Sequence, residues 1–150
     1  MREAATATLH ASAVLIGSRA ALIRGPAGSG KSHLALALIG AAATGRIRFA
    51  RLVADDRVEL TVSHGRLLVS PPAALAGLIE VRGLGVRRVA FEAVAVASLV
   101  VDLAAVDGER IPAASAQVTD IGGIALPRLP VAAGADALAI VLATLNSEAT

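Results

Sequence analysis

The feature that most constrains this chain is the run Gly25-Pro26-Ala27-Gly28-Ser29-Gly30-Lys31-Ser32, which meets the spacing Gly-x-x-x-x-Gly-Lys-Ser without a mismatch. Glycines at these places let the main chain curl so that successive N–H groups face inward as a nest for an anion. A helix starting directly after the loop adds the positive end of its dipole and its unsatisfied N–H groups. The motif therefore demands a strand before it and a helix after it. Both can be read from the flanks. Residues 13–16 and 20–24 are short apolar runs split by Gly17-Ser18-Arg19, the pattern of a tight hairpin. Residues 34–39 are rich in helix formers and predict a helix ending near Gly40, with Gly45 beyond.

The competing reading is a chance turn, since glycine occurs 14 times. The strand-to-helix context counts against it, and so does composition. Of the 14 basic residues, Lys31 is the only lysine and the other 13 are arginine. A compact ammonium fits a phosphate nest where a planar guanidinium does not. In such a loop Lys31 reaches the β- and γ-phosphates and the Ser32 hydroxyl ligates magnesium, so ATP and Mg²⁺ are the implied cofactors.

Composition excludes several other classes. The length of 150 residues suits one domain with one core. Only Phe49 and Phe91 are aromatic, which argues against base stacking on single-stranded nucleic acid. The formal charge is +2, and the sole adjacent basic pair is Arg87-Arg88. No clustered basic face is available to track a phosphate backbone, so nucleic acid is not an expected partner. Cysteine is absent, which removes disulfides, thiolate metal sites and a thiol nucleophile. The N-terminus shows no charged segment followed by an apolar one, so no secretory leader is expected. The most apolar stretch, residues 93–101, is far shorter than the about 20 residues a membrane helix needs. A soluble, cytoplasmic protein is the expectation.

Farther along, residues 52–54 read as a short strand ending at Asp55-Asp56. Residues 58–62 and 67–69 read as a hairpin turning at Ser63-His64-Gly65, closed by Pro71-Pro72. Residues 79–86 mix charge with two glycines and are neither helix nor strand throughout. Residues 90–103 predict a buried strand, 104–120 a surface excursion, 124–126 a short strand flanked by Pro127 and Pro130, and 135–145 a helix. The fold class is α/β, a P-loop kinase-like mixed sheet with hairpins.

A P-loop enzyme also needs carboxylates near the metal and the nucleophile. Asp55 and Asp56 emerge at the C-terminal end of a strand, where α/β folds place ligands. In extended backbone the two side chains point opposite ways, which predicts different tasks for them. The plainer alternative is a solvated turn neutralised by Arg57. Glu80 stands in Glu80-Val81-Arg82-Gly83-Leu84-Gly85-Val86, whose glycines suggest backbone passing close to something. His10 is ambiguous, because a lone histidine is more often structural than catalytic.

Together these residues resemble the catalytic domain of HPr kinase/phosphorylase, the bacterial enzyme that phosphorylates a serine of the phosphocarrier protein HPr. The landmarks fall in family order: His10, the loop 25–32, the run Leu52-Val53-Ala54-Asp55-Asp56-Arg57-Val58-Glu59, and the stretch 79–86. The last, with Glu80, Arg82, Gly83 and Gly85, resembles the family signature, and the likeness covers about residues 10–145. It implies a fold akin to the HPr kinase and phosphoenolpyruvate carboxykinase core, a hexamer, and an HPr-type partner. By that resemblance Lys31 binds phosphate, Ser32 and Glu80 ligate magnesium, and Asp56 takes the proton from the target serine. Asp55 stands beside it, His10 matches an active-site histidine, and Arg110 looks like an active-site arginine. Three departures stand out. His33 replaces a glutamate after the loop serine. The stretch 130–135 lacks two arginines associated with dephosphorylation. The chain begins just before His10, as in a short form found in some proteobacteria. An ATP sensor with little turnover, or a small-molecule kinase, are the alternatives.

Overall fold

The structure is a computed structural model that describes residues 6–150. The expectation about a leader falls partly on residues 1–5, outside the described residues. Eleven strands and two α-helices follow in the order β1 (Thr6–Leu9), β2 (Ala11–Ile16), β3 (Arg19–Arg24), α1 (Lys31–Ala43), β4 (Ala50–Ala54), β5 (Val58–Ser63), β6 (Arg66–Ser70), β7 (Leu78–Val81), β8 (Gly85–Arg88), β9 (Ala95–Leu103), β10 (Val118–Ile121), β11 (Ile124–Val131) and α2 (Ala137–Leu145).

Nine strands form one curled mixed sheet in the order β1-β5-β6-β9-β3-β2-β4, with β11 joining β9 and β10 joining β11. β7 and β8 pair as a separate hairpin. The central strands β3 and β9 run parallel and are covered on both sides. Ala20 and Leu22 of β3 enter one apolar cluster inside the curl, while Ala21 and Ile23 enter a second against α1 and α2. A strand buried on both faces reads as a continuous apolar run rather than an alternating one, which is why these strands were visible in the sequence. The turn between β5 and β6 places His64 at φ 54° and Gly65 at φ 74°. That pair of left-handed residues matches the twist of a two-residue hairpin.

Several elements depart from the sequence expectation. α1 runs through Gly40 to Ala43. Leu38 and Ala41, both buried, anchor the turn containing Gly40, and this burial offsets the about 1 kcal/mol that a helical glycine costs against alanine. The strand expected over 90–103 starts at Ala95. Upstream of it, the Glu92 N–H donates to the Leu52 carbonyl instead of continuing the ladder. The excursion after residue 104 ends early, because residues 118–121 pair with β11 as β10. β11 itself extends from Ile124 to Val131 straight through both prolines. It changes partner midway, lying against β10 up to Pro127 and against β9 from Arg128. Each half therefore has one ladder edge where a missing N–H is tolerated. α2 starts two residues later than expected, at Ala137, because the Asp136 side chain accepts the Ala139 N–H and caps it.

Beneath the glycine loop lies an ion chain that spans three strands. Arg24, the last residue of β3, pairs with Asp102 of β9 through two hydrogen bonds of 2.7 Å. Arg128 of β11 donates to Asp102 at 2.5 Å and to Asp107 at 2.8 Å. Burial alone would push the Asp102 carboxyl up, but hydrogen bonds and charge from Arg24 and Arg128 outweigh it and hold the group below its ordinary 3.8. A carboxyl depressed in the folded state stabilises the fold above its unfolded value, and that contribution is lost as pH falls through the folded value. Asp102→Asn is therefore expected to destabilise the neutral protein by on the order of 3 kcal/mol, by leaving guanidinium groups unpaired. The wild type should lose this advantage progressively below pH 3.8, where the variant's stability should change less. Urea denaturation across that pH range checks both statements.

Candidate active site

The loop closes on itself before the helix begins. The Ser29 N–H donates to the Pro26 carbonyl at 3.0 Å, and the first bond of α1 runs from Leu34 N–H to the Gly30 carbonyl at 2.9 Å. The N–H groups of Lys31, Ser32 and His33 thus precede the helical ladder. No side chain caps this end and its first turn holds no acid, so an anion is the natural complement. Gly30 turns the chain at φ 101°, a conformation L side chains rarely adopt. Gly25 is needed for space, since a Cβ there would lie 2.5 Å from Ser29 Oγ and 3.1 Å from Leu103 Cβ. Lys31 folds over the loop and donates to the carbonyls of Gly25 at 2.8 Å and Pro26 at 3.2 Å.

Asp55, at the end of β4, is buried and gathers three donors. Its Oδ1 accepts Ser12 Oγ at 2.7 Å and Ser32 Oγ at 2.6 Å, and its Oδ2 accepts the Glu80 N–H at 3.1 Å. One carboxylate thereby ties the first strand of the hairpin, the phosphate loop and the 79–86 stretch into a single unit. A solvated turn neutralised by Arg57 does not describe it, because Arg57 gives only its main-chain N–H, at 2.8 Å to the Asp55 carbonyl. That bond closes a three-residue turn around Asp56, which sits at φ 70°. The two aspartates do separate as expected, but through this strained turn rather than through extended alternation. Asp56 is exposed, with its Oδ1 3.7 Å from His10 Nδ1.

A cleft of about 950 Å³ collects these groups. It is lined by His10, most of the loop, Lys31, Ser32, Asp56, Glu80 and Arg82. Gly83 lies in the turn of the β7–β8 hairpin at φ 87°, and Gly85, the first residue of β8, closes it opposite Val81 at φ 100°. Arg110 is exposed on the segment between β9 and β10 and lines neither of the two main clefts. Among the described residues no group of three or more His, Asp or Glu forms a metal cage. Magnesium does not ask for one, since it keeps waters and binds through one or two protein groups plus phosphates. The uncapped helix end, the glycine cradle and the Ser32–Asp55 pair fit a magnesium nucleotide.

Sequence reasoning missed Ser12 and the Arg24–Asp102–Arg128 chain. Ser12 is a polar residue within an apolar strand, two positions after His10, and it is fully buried. That mismatch was the available signal. The ion chain joins residues 26 and 78 positions apart, and no local pattern marks it.

A parallel central pair, a glycine loop leading into a helix, and an acidic pair at a nearby strand end define a P-loop α/β protein. Within that class, the family model for the HPr serine kinase C-terminal domain matches residues 2–148, and the chain belongs to this family. An HPr kinase/phosphorylase of Xylella fastidiosa (strain 9a5c) is 48% identical over 84 residues, covering 55% of this chain and 24% of that protein. One from Clostridium tetani is 46% identical over 65 residues, covering 43% of this chain and 19% of that protein. The match to these curated relatives thus spans 24% or less of their length. The solved structure of the Hpr(Ser) kinase/phosphatase from Coxiella burnetii superposes with a TM-score of 0.71 at 26% identity, covering 93% of this chain and 88% of that one. No helix among the described residues is long and apolar enough to cross a membrane.

Proposed function

We propose that this chain is an ATP-dependent serine kinase that moves the γ-phosphoryl group of ATP to a serine of an HPr-type phosphocarrier protein. It would act in the cytoplasm, as a homo-oligomer, in control of carbohydrate metabolism through the phosphotransferase system. The observation that carries this reading is the convergence of Lys31, Ser32, Asp56, His10 and Glu80 on one cleft, with Asp55 tying its walls together.

Bound in that cleft, ATP with Mg²⁺ supplies the phosphoryl group and part of the charge neutralisation. Lys31 sets its ammonium against the phosphate oxygens, beside the amides of the loop. The Ser32 hydroxyl donates a hydrogen bond to Asp55, which would leave its oxygen lone pairs facing outward, toward a cation. Glu80 offers a second ligand at the mouth. Asp56 accepts the proton of the incoming serine as its oxygen bonds to phosphorus and the bond to the β-phosphate oxygen breaks. His10 orients Asp56 from 3.7 Å.

His33 lines the same cleft and brings no negative charge, which favours a second reading: nucleotide held with little turnover. Stretch 130–135 carries no guanidinium, so we propose no phosphorylase activity. Transfer of radiolabel from the γ-position of ATP to a phosphocarrier separates kinase from sensor. Asp56→Asn should keep nucleotide affinity and lose about a hundredfold in transfer rate. That lies at the low end for a general base, because phosphoryl transfer demands little proton abstraction before bond cleavage. Unchanged transfer in this variant removes Asp56 from the proposed role.

A further inference from the structure

Three strands change character at the same level of the sheet. Inside the curl, Leu22 of β3, Val100 of β9 and Leu126 of β11 belong to one apolar cluster. Two residues farther along each strand, on the same face, stand Arg24, Asp102 and Arg128. Their side chains are 26%, 13% and 14% exposed. An ion chain this far from water is a poor source of stability, since apolar residues of similar volume often serve a fold as well or better. What it does supply is fixed geometry, and this chain ends at the phosphate loop.

The two ends of that loop are held differently. The far end continues into α1, whose Leu34 and Leu38 are buried in the core. The near end is Gly25, which has no side chain to anchor it. Its place is set by neighbours: Leu103 of β9 leaves no room for a Cβ there, and Arg24, immediately before it, is clamped to Asp102 by two bonds. The carbonyls of Gly25 and Pro26 in turn hold Lys31. A shift at this root would therefore displace the amide nest and the ammonium together.

We infer that Arg128 is a positioning residue for the nucleotide phosphates: by fixing Asp102 it fixes Arg24 and, through Arg24, the root of the loop. This rests on the phosphate-loop reading above. Every nitrogen of the Arg128 fork is engaged. Nε donates to Asp102, one terminal nitrogen donates to Asp107 and to the Ala116 carbonyl, and the other donates to Asp107. Bonds to three partners hold the guanidinium in one orientation, as a planar fork can and a single ammonium cannot. Asp102 is thus gripped by Arg24 on one side and Arg128 on the other, and the end of β3 has no freedom to swing. Arg128 does not line the phosphate cleft, so it acts on the ligand through these residues alone.

Calorimetric titration of the whole chain with magnesium ATP, reading the number of sites as well as the affinity, tests this. Arg128→Met keeps an apolar stem in place, leaves Asp102 paired with Arg24 and returns Asp107, already 46% exposed, to water. It should bind one nucleotide per chain with Kd raised about tenfold or more, the scale on which loss of a group that orients a ligand-binding residue acts. Arg24→Met should match it, because the effect passes through that residue. Fewer sites at the wild-type Kd in Arg128→Met would show that the ion chain supports only the fold, and would overturn the inference. So would a full complement of sites at the wild-type Kd in either variant. If Arg128→Met does not fold, Asp107→Ala decides: it removes two of the bonds that orient Arg128 from the solvent side, and should raise Kd about threefold or more. An unchanged Kd in that variant is then the contrary result. A wild-type chain that binds no nucleotide would instead remove the phosphate-loop reading itself.

Discussion

Replacing Lys31 by alanine is expected to lower phosphoryl transfer by about a thousandfold while the protein stays folded. The ammonium is the one lysine charge in the chain, and it is held over the loop by the Gly25 and Pro26 carbonyls. Negative charge shifts among phosphate oxygens as the phosphoryl group moves, and a donor already in place meets it without reorganisation. The two carbonyl contacts sit in the loop rather than in the core, so their loss should cost only about 1 kcal/mol of stability. Lys31→Arg should fail to restore activity, even though arginine serves every other cationic position. The guanidinium is planar and forked, and does not settle as a point charge in a ring of amides. Initial rates of label transfer, read beside thermal unfolding, check the prediction. A well-folded Lys31→Ala protein with rates near the wild type would show that the loop does not handle the transferred group.

Asp55→Asn is the second large effect, and here activity and stability should fall together. The carboxylate accepts three donors on two oxygens, and an amide can supply only one acceptor oxygen. If its NH₂ replaces Oδ2, it confronts the Glu80 N–H. If it replaces Oδ1, both serine hydroxyls must turn around to accept, and Ser32 then directs its proton rather than its lone pairs toward the cation. Either arrangement leaves a buried donor unmatched, at about 1–3 kcal/mol. Loss of the Ser32 orientation should reduce transfer by on the order of a thousandfold and raise the magnesium concentration needed for half-maximal rate. A magnesium titration of the transfer rate reads the second effect directly. Wild-type magnesium dependence in Asp55→Asn would mean that Ser32 is not held for a metal.

The parts of this molecule legible from sequence are those whose chemistry is local. The glycine loop at 25–32, with the strand before it and the helix after it, could be read because its pattern is confined to eight consecutive residues. The β5–β6 hairpin could be read from His64-Gly65. Less legible were elements governed by distant partners. Nothing near Pro127 or Pro130 announces that β11 exchanges one neighbour for another between them. Gly40 looks like a helix end until Leu38 and Ala41 are seen buried on either side of it. At the site, the separation of Asp55 from Asp56 was foreseen, but the left-handed turn that produces it was not, because aspartate adopts that conformation only where the surroundings impose it. Ser12 and Asp102 remained hidden for the same reason: each acquires its role from a strand neighbour far away in the chain.

Mass spectrometry of an HPr-type phosphocarrier after incubation with this protein, ATP and magnesium tests the central claim most directly. The expected result is a single added phosphoryl group, mapped by fragmentation to one serine, and absent when Lys31→Ala replaces the wild type. An unmodified phosphocarrier in the presence of a protein that demonstrably binds the nucleotide would contradict it.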